Sequence, residues 1–379
     1  MECYFDNAAT TAVFPEVKDL MVRIMEEDYG NPSSLHMKGV EAERYIKEAA
    51  FRIAKELKCQ EKELTFTSGG TESNNLAVIG AAMAKRRQGK HIICSNIEHA
   101  SVSAPMEFLE KEGYEVTYVG VDEHGKLNLD ELKKALREDT ILVSAMFVNN
   151  EIGVIEPIEE ISKVIKDYNE NIVFHVDGVQ AFGKMRFSPK RLGVDLMSFS
   201  GHKIHGPKGS GVLYIKDKLL MRPIIYGGGQ QNAMRSGTEN VPAIAGMGLA
   251  TELMYKDNEK KMEHIRALKK SFIDRVTAFE NVYDNSGDAP HVMSISFVGV
   301  RSEVMLHALE DKGIYVSAGS ACSSNKPHVS NVLKAINLPQ DRVESTLRFS
   351  FCEDNTMDQV DYAVSIIGEL LPMLRKYTR

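Results

Sequence analysis

Between about Pro15 and Tyr255, short β-rich runs alternate with amphipathic helical stretches, and that alternation restricts what this part of the chain can fold into. The runs are Glu63–Thr67, His91–Ser95, Glu115–Val119, Thr140–Val148, Asn171–Val176, Leu196–Ser200 and Ser210–Ile215. Several are apolar without a polar alternate, as strands are when helices cover both faces of a sheet. They predict an α/β fold with a mostly parallel seven-stranded sheet. After a long helical region, Thr238–Phe279 with a break near Asp257, the pattern changes. A strand at His291–Val298, a helix at Ser302–Asp311, a strand at Thr346–Phe351 and a helix from Met357 predict a smaller α+β domain. A chain of 379 residues exceeds one ordinary core, so two domains are expected: 15–256, and 1–14 together with 257–379.

Composition narrows the function classes. At 43% hydrophobic and 26% charged, the sequence reads as soluble and globular, and a net charge of −7 disfavours a nucleic-acid-binding surface. No apolar run is long enough to span a membrane, and the start, Met1-Glu2-Cys3-Tyr4-Phe5-Asp6, lacks the basic and apolar regions of a signal peptide. Five cysteines at scattered spacings suggest neither a disulfide framework nor a metal site, so a cytoplasmic protein with reduced thiols is expected.

Three polar motifs follow buried runs, where sheets of this type place their ligands. Ser200-Gly201-His202-Lys203-Ile204-His205-Gly206-Pro207-Lys208-Gly209 puts a lysine on a tight turn, where desolvation can free its amine for imine chemistry. A solvated surface lysine is the ordinary alternative. Asp177, ending Ile172-Val173-Phe174-His175-Val176-Asp177, is a carboxylate at the end of a buried run. It is costly there unless it meets a cation, such as a protonated ring nitrogen, or caps the next helix. Phe66-Thr67-Ser68-Gly69-Gly70-Thr71-Glu72 is a strand, a diglycine turn and a helix start, whose N–H groups suit a phosphate, with Thr71 as an added donor. His99, in Asn96-Ile97-Glu98-His99, is placed to lie over a ring, or is merely structural.

An anion cradle, a buried acid and an activated lysine in this order resemble the fold-type I pyridoxal-phosphate (PLP) enzymes. The sequence resembles the cysteine desulfurases of the NifS and IscS type, within the class V aminotransferase group. Asp6-Asn7-Ala8-Ala9-Thr10-Thr11, Gly30-Asn31-Pro32-Ser33-Ser34, Asn149-Asn150-Glu151-Ile152-Gly153, Arg235-Ser236-Gly237-Thr238-Glu239-Asn240 and Gly319-Ser320-Ala321-Cys322 carry the likeness almost end to end. It implies a PLP-dependent transferase fold and conversion of L-cysteine to L-alanine, with the sulfur held on Cys322 as a persulfide. Lys203 would bind the cofactor covalently and shuttle protons, with Cys322, Lys203 and His99 as catalytic residues. Asp177 would pair with the ring nitrogen, Gln180 with the ring oxygen, and His99 would stack on the ring. Thr71, Ser200 and His202 would hold the phosphate, with a backbone contact from Gly70. Thr238 would reach the phosphate of a neighbouring subunit, which implies a homodimer. Arg348 would grip the substrate carboxylate through its planar fork, with Asn150 touching substrate or ring. The sulfur would go to an acceptor protein, an iron–sulfur scaffold or a tRNA-thiolation enzyme.

The segment Val316–Pro327 has too little apolar surface to pack tightly, which favours an exposed, nucleophilic Cys322. Cys94 lies in an apolar run and reads as core, and Cys3, Cys59 and Cys352 receive no role. The chain departs from the family pattern at Gly70, where Ala is usual, at Gln231-Asn232, where Glu-Arg is usual, and at Pro327-His328-Val329-Ser330-Asn331, where Leu-Glu-Pro-Ser-His is usual. The last change adjoins Cys322 and bears on the choice of acceptor. A selenocysteine lyase or other class V PLP lyase is the nearest rival. A non-catalytic sulfur-relay scaffold is the rival from another class, disfavoured by retention of Lys203, Asp177 and Arg348.

Overall fold

A computed structural model of the chain describes residues 1–318 and 330–377. Its larger sheet has seven strands in the order Leu64–Thr67, Gly211–Ile215, Leu196–Ser200, Val173–Asp177, Thr140–Met146, His91–Ser95 and Glu115–Val119. All pairings are parallel except the two made by Gly211–Ile215. Successive residues of one strand enter opposite cores. Ile93, Val143, Phe174 and Met197 pack on one face, and Ile92, Cys94, Leu142, Val173 and Leu196 on the other. Both faces of the inner strands are buried, which is why several of these runs lack a polar alternate, whereas the edge strand Glu115–Val119 is exposed at Glu115 and Tyr118.

Helices Met37–Leu57 and Val241–Tyr255 cover the first face, and Gly70–Lys85 and Ala100–Lys111 the second. The helical region expected to break near Asp257 does so there: Val241–Tyr255 is followed by Asn258–Val276, with Asp257 left-handed at φ 52°.

A second sheet, of four antiparallel strands, runs Ser317–Ala318, Thr346–Ser350, Val292–Phe297 and Val282–Asp284. Its core of Phe272, Phe297, Phe349 and Phe351 also takes in Cys3 and Phe5. The N-terminus is fixed there because Cys3–Tyr4 pairs in parallel with Ile314–Tyr315. The segment after Phe5 then crosses to the larger sheet: the Ala8 N–H donates to Ser350 Oγ at 2.8 Å and the Thr11 N–H to the His202 carbonyl at 3.0 Å. Asp6–Thr11 thus lies where the two sheets approach each other.

His175, fully buried beneath the strand end that carries Asp177, sits between Ser144 Oγ at 2.8 Å and Ser198 Oγ at 3.1 Å. Burial pushes its pKa down to about 3 from 6.5. A depressed folded pKa means that the unfolded chain binds the proton first, so this stability is whole above pH 6.5 and drains as pH falls toward 3. His202, held down to about 4 chiefly by burial, acts with the same sign. The melting temperature should fall as pH drops below 6.5, and His175→Gln should flatten that slope; an equally steep slope in the variant would contradict the assignment.

Candidate active site

The carboxyl ends of the parallel strands open into one cleft of about 240 Å3. Gly70, Thr71, His99, Asn150, Asp177, Gln180, Ser200, His202, Lys203 and Arg348 all line it. Apart from Arg348, midway along strand Thr346–Ser350 of the smaller sheet, each stands at or just beyond a strand end, so the fold alone converges residues spread from 70 to 348. Thr238 does not line this cleft; it is exposed elsewhere. Cys322 lies outside the described residues, as do Pro327, His328 and Val329. Of the altered segment, Ser330 caps helix Asn331–Ala335 and donates to the half-buried carboxylate of Glu151, whose pKa desolvation raises.

Lys203 follows strand Leu196–Ser200 directly, and its Nζ donates to the carbonyl oxygens of Ala8 at 2.7 Å and Ala9 at 2.8 Å. Asp177 ends strand Val173–Asp177 and is buried. Asn74 Nδ2 donates to its Oδ2 at 2.8 Å and the Val179 N–H to its Oδ1 at 3.0 Å. Those bonds give both oxygens of this buried carboxylate a donor. Gln180 donates to the Ala8 carbonyl at 2.9 Å, and its Oε1 lies 3.2 Å from His291 Nε2.

His99 caps helix Ala100–Lys111, its Nδ1 accepting the Ser101 N–H at 3.1 Å, which leaves the ring proton on Nε2. Burial, then Lys203 and Arg348, lower its pKa against the opposing pull of Asp177, so the ring is neutral at physiological pH.

At the other end of the cleft, helix Gly70–Lys85 starts with no side-chain cap. Ser200 Oγ is buried there without a hydrogen-bond partner among the described residues. A Cβ on Gly70 would come within 2.9 Å of Val179 Cγ2, so the departure from alanine keeps the turn open. Gly211 serves the same turn: a Cβ there would sit 2.5 Å from Gly69 Cα, so only glycine lets the strand pass so close. Glu72, a carboxylate beside this cradle, is neutralised by Arg235 at 2.8 Å.

Arg348 enters from the smaller sheet and is buried. It donates to Asp6 Oδ1 at 2.7 Å and to the Asn150 carbonyl at 3.0 Å, while its Nε has no partner among the described residues. Reading the sequence for site residues missed Ala8, Ala9, Asp6, Asn74 and Ser101. The first three lie in the Asp6–Thr11 motif, which the family resemblance marked, although their roles depend on contacts more than 190 positions away.

The Aminotransferase class-V family pattern matches residues 3–363. A cysteine desulfurase IscS from Dictyoglomus turgidum is 45% identical over 378 residues, covering 99% of this chain and 95% of that one. A solved NifS-like protein superimposes with a TM-score of 0.94 at 37% identity, covering 99% of this chain and all of that one. A solved SspA in complex with cysteine has a TM-score of 0.82 at 32% identity, covering 93% of this chain and all of that one. With the strand-end cleft and these full-length likenesses together, the chain belongs to the class-V aminotransferases and, among them, to the cysteine desulfurases of the NifS and IscS type.

Proposed function

We propose that this protein takes the sulfur from L-cysteine, releases L-alanine, and holds the sulfur on Cys322 as a persulfide for an acceptor protein. The observation that carries this reading is one cleft that joins Lys203, Asp177, the uncapped helix start at Gly70 and the buried Arg348. PLP fits these residues. The unpartnered Ser200 Oγ and the uncapped helix start suit its phosphate, and the open turn at Gly70 admits it. Thr71, His202 and the Gly70 backbone would complete that grip, and Asp177 would hold the ring nitrogen. Gln180 would bond the ring oxygen and His99 would stack on the ring. When bound, PLP supplies an electron sink for charge developing next to the substrate amine.

The chain's own groups do the rest. Arg348, oriented by Asp6, takes the substrate carboxylate, and Asn150 supports it. Lys203 Nζ takes the proton from the substrate Cα. The Cys322 thiolate attacks the substrate sulfur: the Cβ–S bond breaks, an S–S bond forms, and carbon gains the electron pair and a proton. Cysteine is thereby reduced to alanine while the transferred sulfur is oxidised to the persulfide level. The SspA structure, which holds cysteine on the same fold, supports this substrate.

We place the larger domain at 15–256, and the smaller at 1–14 with 257–379, and read the protein as a homodimer in which Thr238 serves the neighbouring subunit. The cytoplasm is its expected location, and an iron–sulfur scaffold or tRNA-thiolation enzyme its expected acceptor class.

Arg348→Ala should weaken cysteine binding by at least about 2 kcal/mol, roughly 30-fold, as for a lost charge-assisted pair. Near-normal cysteine affinity in that variant would show that another group binds the carboxylate.

A further inference from the structure

Lys203 borders two spaces, the cleft and a small void of about 10 Å3, room for about one water. Lys184, His205, His291, Cys352 and Glu353 also line the void. Lys184 and Gln180 lie on the loop that leaves strand Val173–Asp177, yet Lys184 turns away from the cleft that Asp177 and Gln180 line. It is only 8% exposed, and its Nζ donates to the main-chain carbonyl of Lys203. An interior lysine is costly, and nothing in the sulfur chemistry above uses it.

The charges around it are defined. Glu353 is the anion; it lies 3.4 Å from His205 Nε2 and 3.6 Å from Lys261 Nζ. His205 is fixed in turn: its ring stacks on Phe14 at 4.4 Å, its Nδ1 meets the Ala12 carbonyl at 2.8 Å, and its backbone is left-handed at φ 60°. Burial and Glu353 push the Cys352 thiol up to about 12, and burial holds His291 well below the usual range, so both are uncharged. Burial lowers Lys184 to about 8, with Glu353 holding it up and Lys203 pushing it down, which leaves it mostly charged at neutral pH. His205, Cys352 and Glu353 are close enough to bind a cation, all within 4.8 Å, but Lys184 and Lys261 already supply the positive charge that faces Glu353.

We propose that Lys184 is a positioning residue for Lys203: it clamps the Lys203 main chain through its carbonyl and keeps a positive charge behind the Lys203 side chain, so that the Lys203 nitrogen favours its unprotonated form. A strand end thereby delivers Asp177 to the cleft side of Lys203, and the loop after it delivers Lys184 to the side away from it. This rests on Lys203 being the cofactor-binding lysine.

The test is the visible absorbance of the PLP-loaded protein followed against pH, in wild type, Lys184→Met and Lys184→Arg, with borohydride reduction and peptide mapping of each. Removing the charge favours the protonated nitrogen, so the spectral midpoint should rise in Lys184→Met by about 0.5–1 unit. It should stay near the wild-type value in Lys184→Arg, which keeps the charge. If Lys184→Met folds without retaining cofactor, the pH at which acetic anhydride labels Lys203 in cofactor-stripped proteins should move the same way. An adduct on Lys203 with an unmoved midpoint in Lys184→Met would overturn the role of Lys184 alone. Failure of both variants to fold would reduce Lys184 to a packing residue and overturn it as well. An adduct on a different lysine would overturn the cofactor assignment and this proposal together.

Discussion

Lys203→Ala is expected to abolish cysteine turnover, with a loss on the order of 10⁴-fold or more, and to remove the cofactor band that borohydride would trap. Two functions disappear together, since the same amine holds the cofactor and moves the substrate's proton. The cleft should survive, because Asp177, Ser200 and the helix start at Gly70 are held by contacts that do not pass through the Lys203 side chain. PLP should therefore still bind the variant, reversibly, and dialyse away. In wild type the pyridoxyl adduct should map to Lys203. An adduct on Lys208, in the same glycine-rich turn, would overturn the assignment.

The second large effect concerns Cys322→Ala. If Cys322 only filled space, losing one sulfur from a small-residue segment would cost little activity. As the sulfur acceptor, its loss should leave PLP binding intact, since the cofactor-holding residues lie elsewhere in the chain. Cysteine should still perturb the cofactor spectrum. Alanine formation, and sulfide release with a reductant, should fall to background, because nothing remains to attack the substrate sulfur.

How much of this was legible in the sequence depends on how local each cause is. The strand positions were, because covering both faces of a sheet leaves a continuous apolar run that can be read directly, as at His91–Ser95. Strand ends were less so. The run read as reaching Val148 leaves the sheet after Met146, where Val148 instead pairs with Ile155 in a local bridge. The strand read from Asn171 begins at Val173, because Asn169 Oδ1 accepts the Asn171 N–H in a turn. Cys3–Tyr4 went unread as a strand since two residues carry no periodicity, and their partner at Ile314–Tyr315 lies near the other end of the chain.

The site followed the same rule. Asp177 and Lys203 stood out because a charge ending a buried run demands an explanation within a few residues. The Asp6–Arg348 pair and the bond from Lys184 to the Lys203 carbonyl had no such local sign. Asn74 looked like an ordinary helix residue until its amide proved to lie between Asp177 and Ser101.

The central claim is that sulfur leaves cysteine for Cys322, and peptide mass spectrometry after a single cysteine pulse without reductant tests it most directly. The account predicts one added sulfur mass on the peptide containing Cys322, alongside one alanine per loaded site. Sulfur appearing instead on Cys94 or Cys352, or undiminished alanine formation by Cys322→Ala, would contradict it.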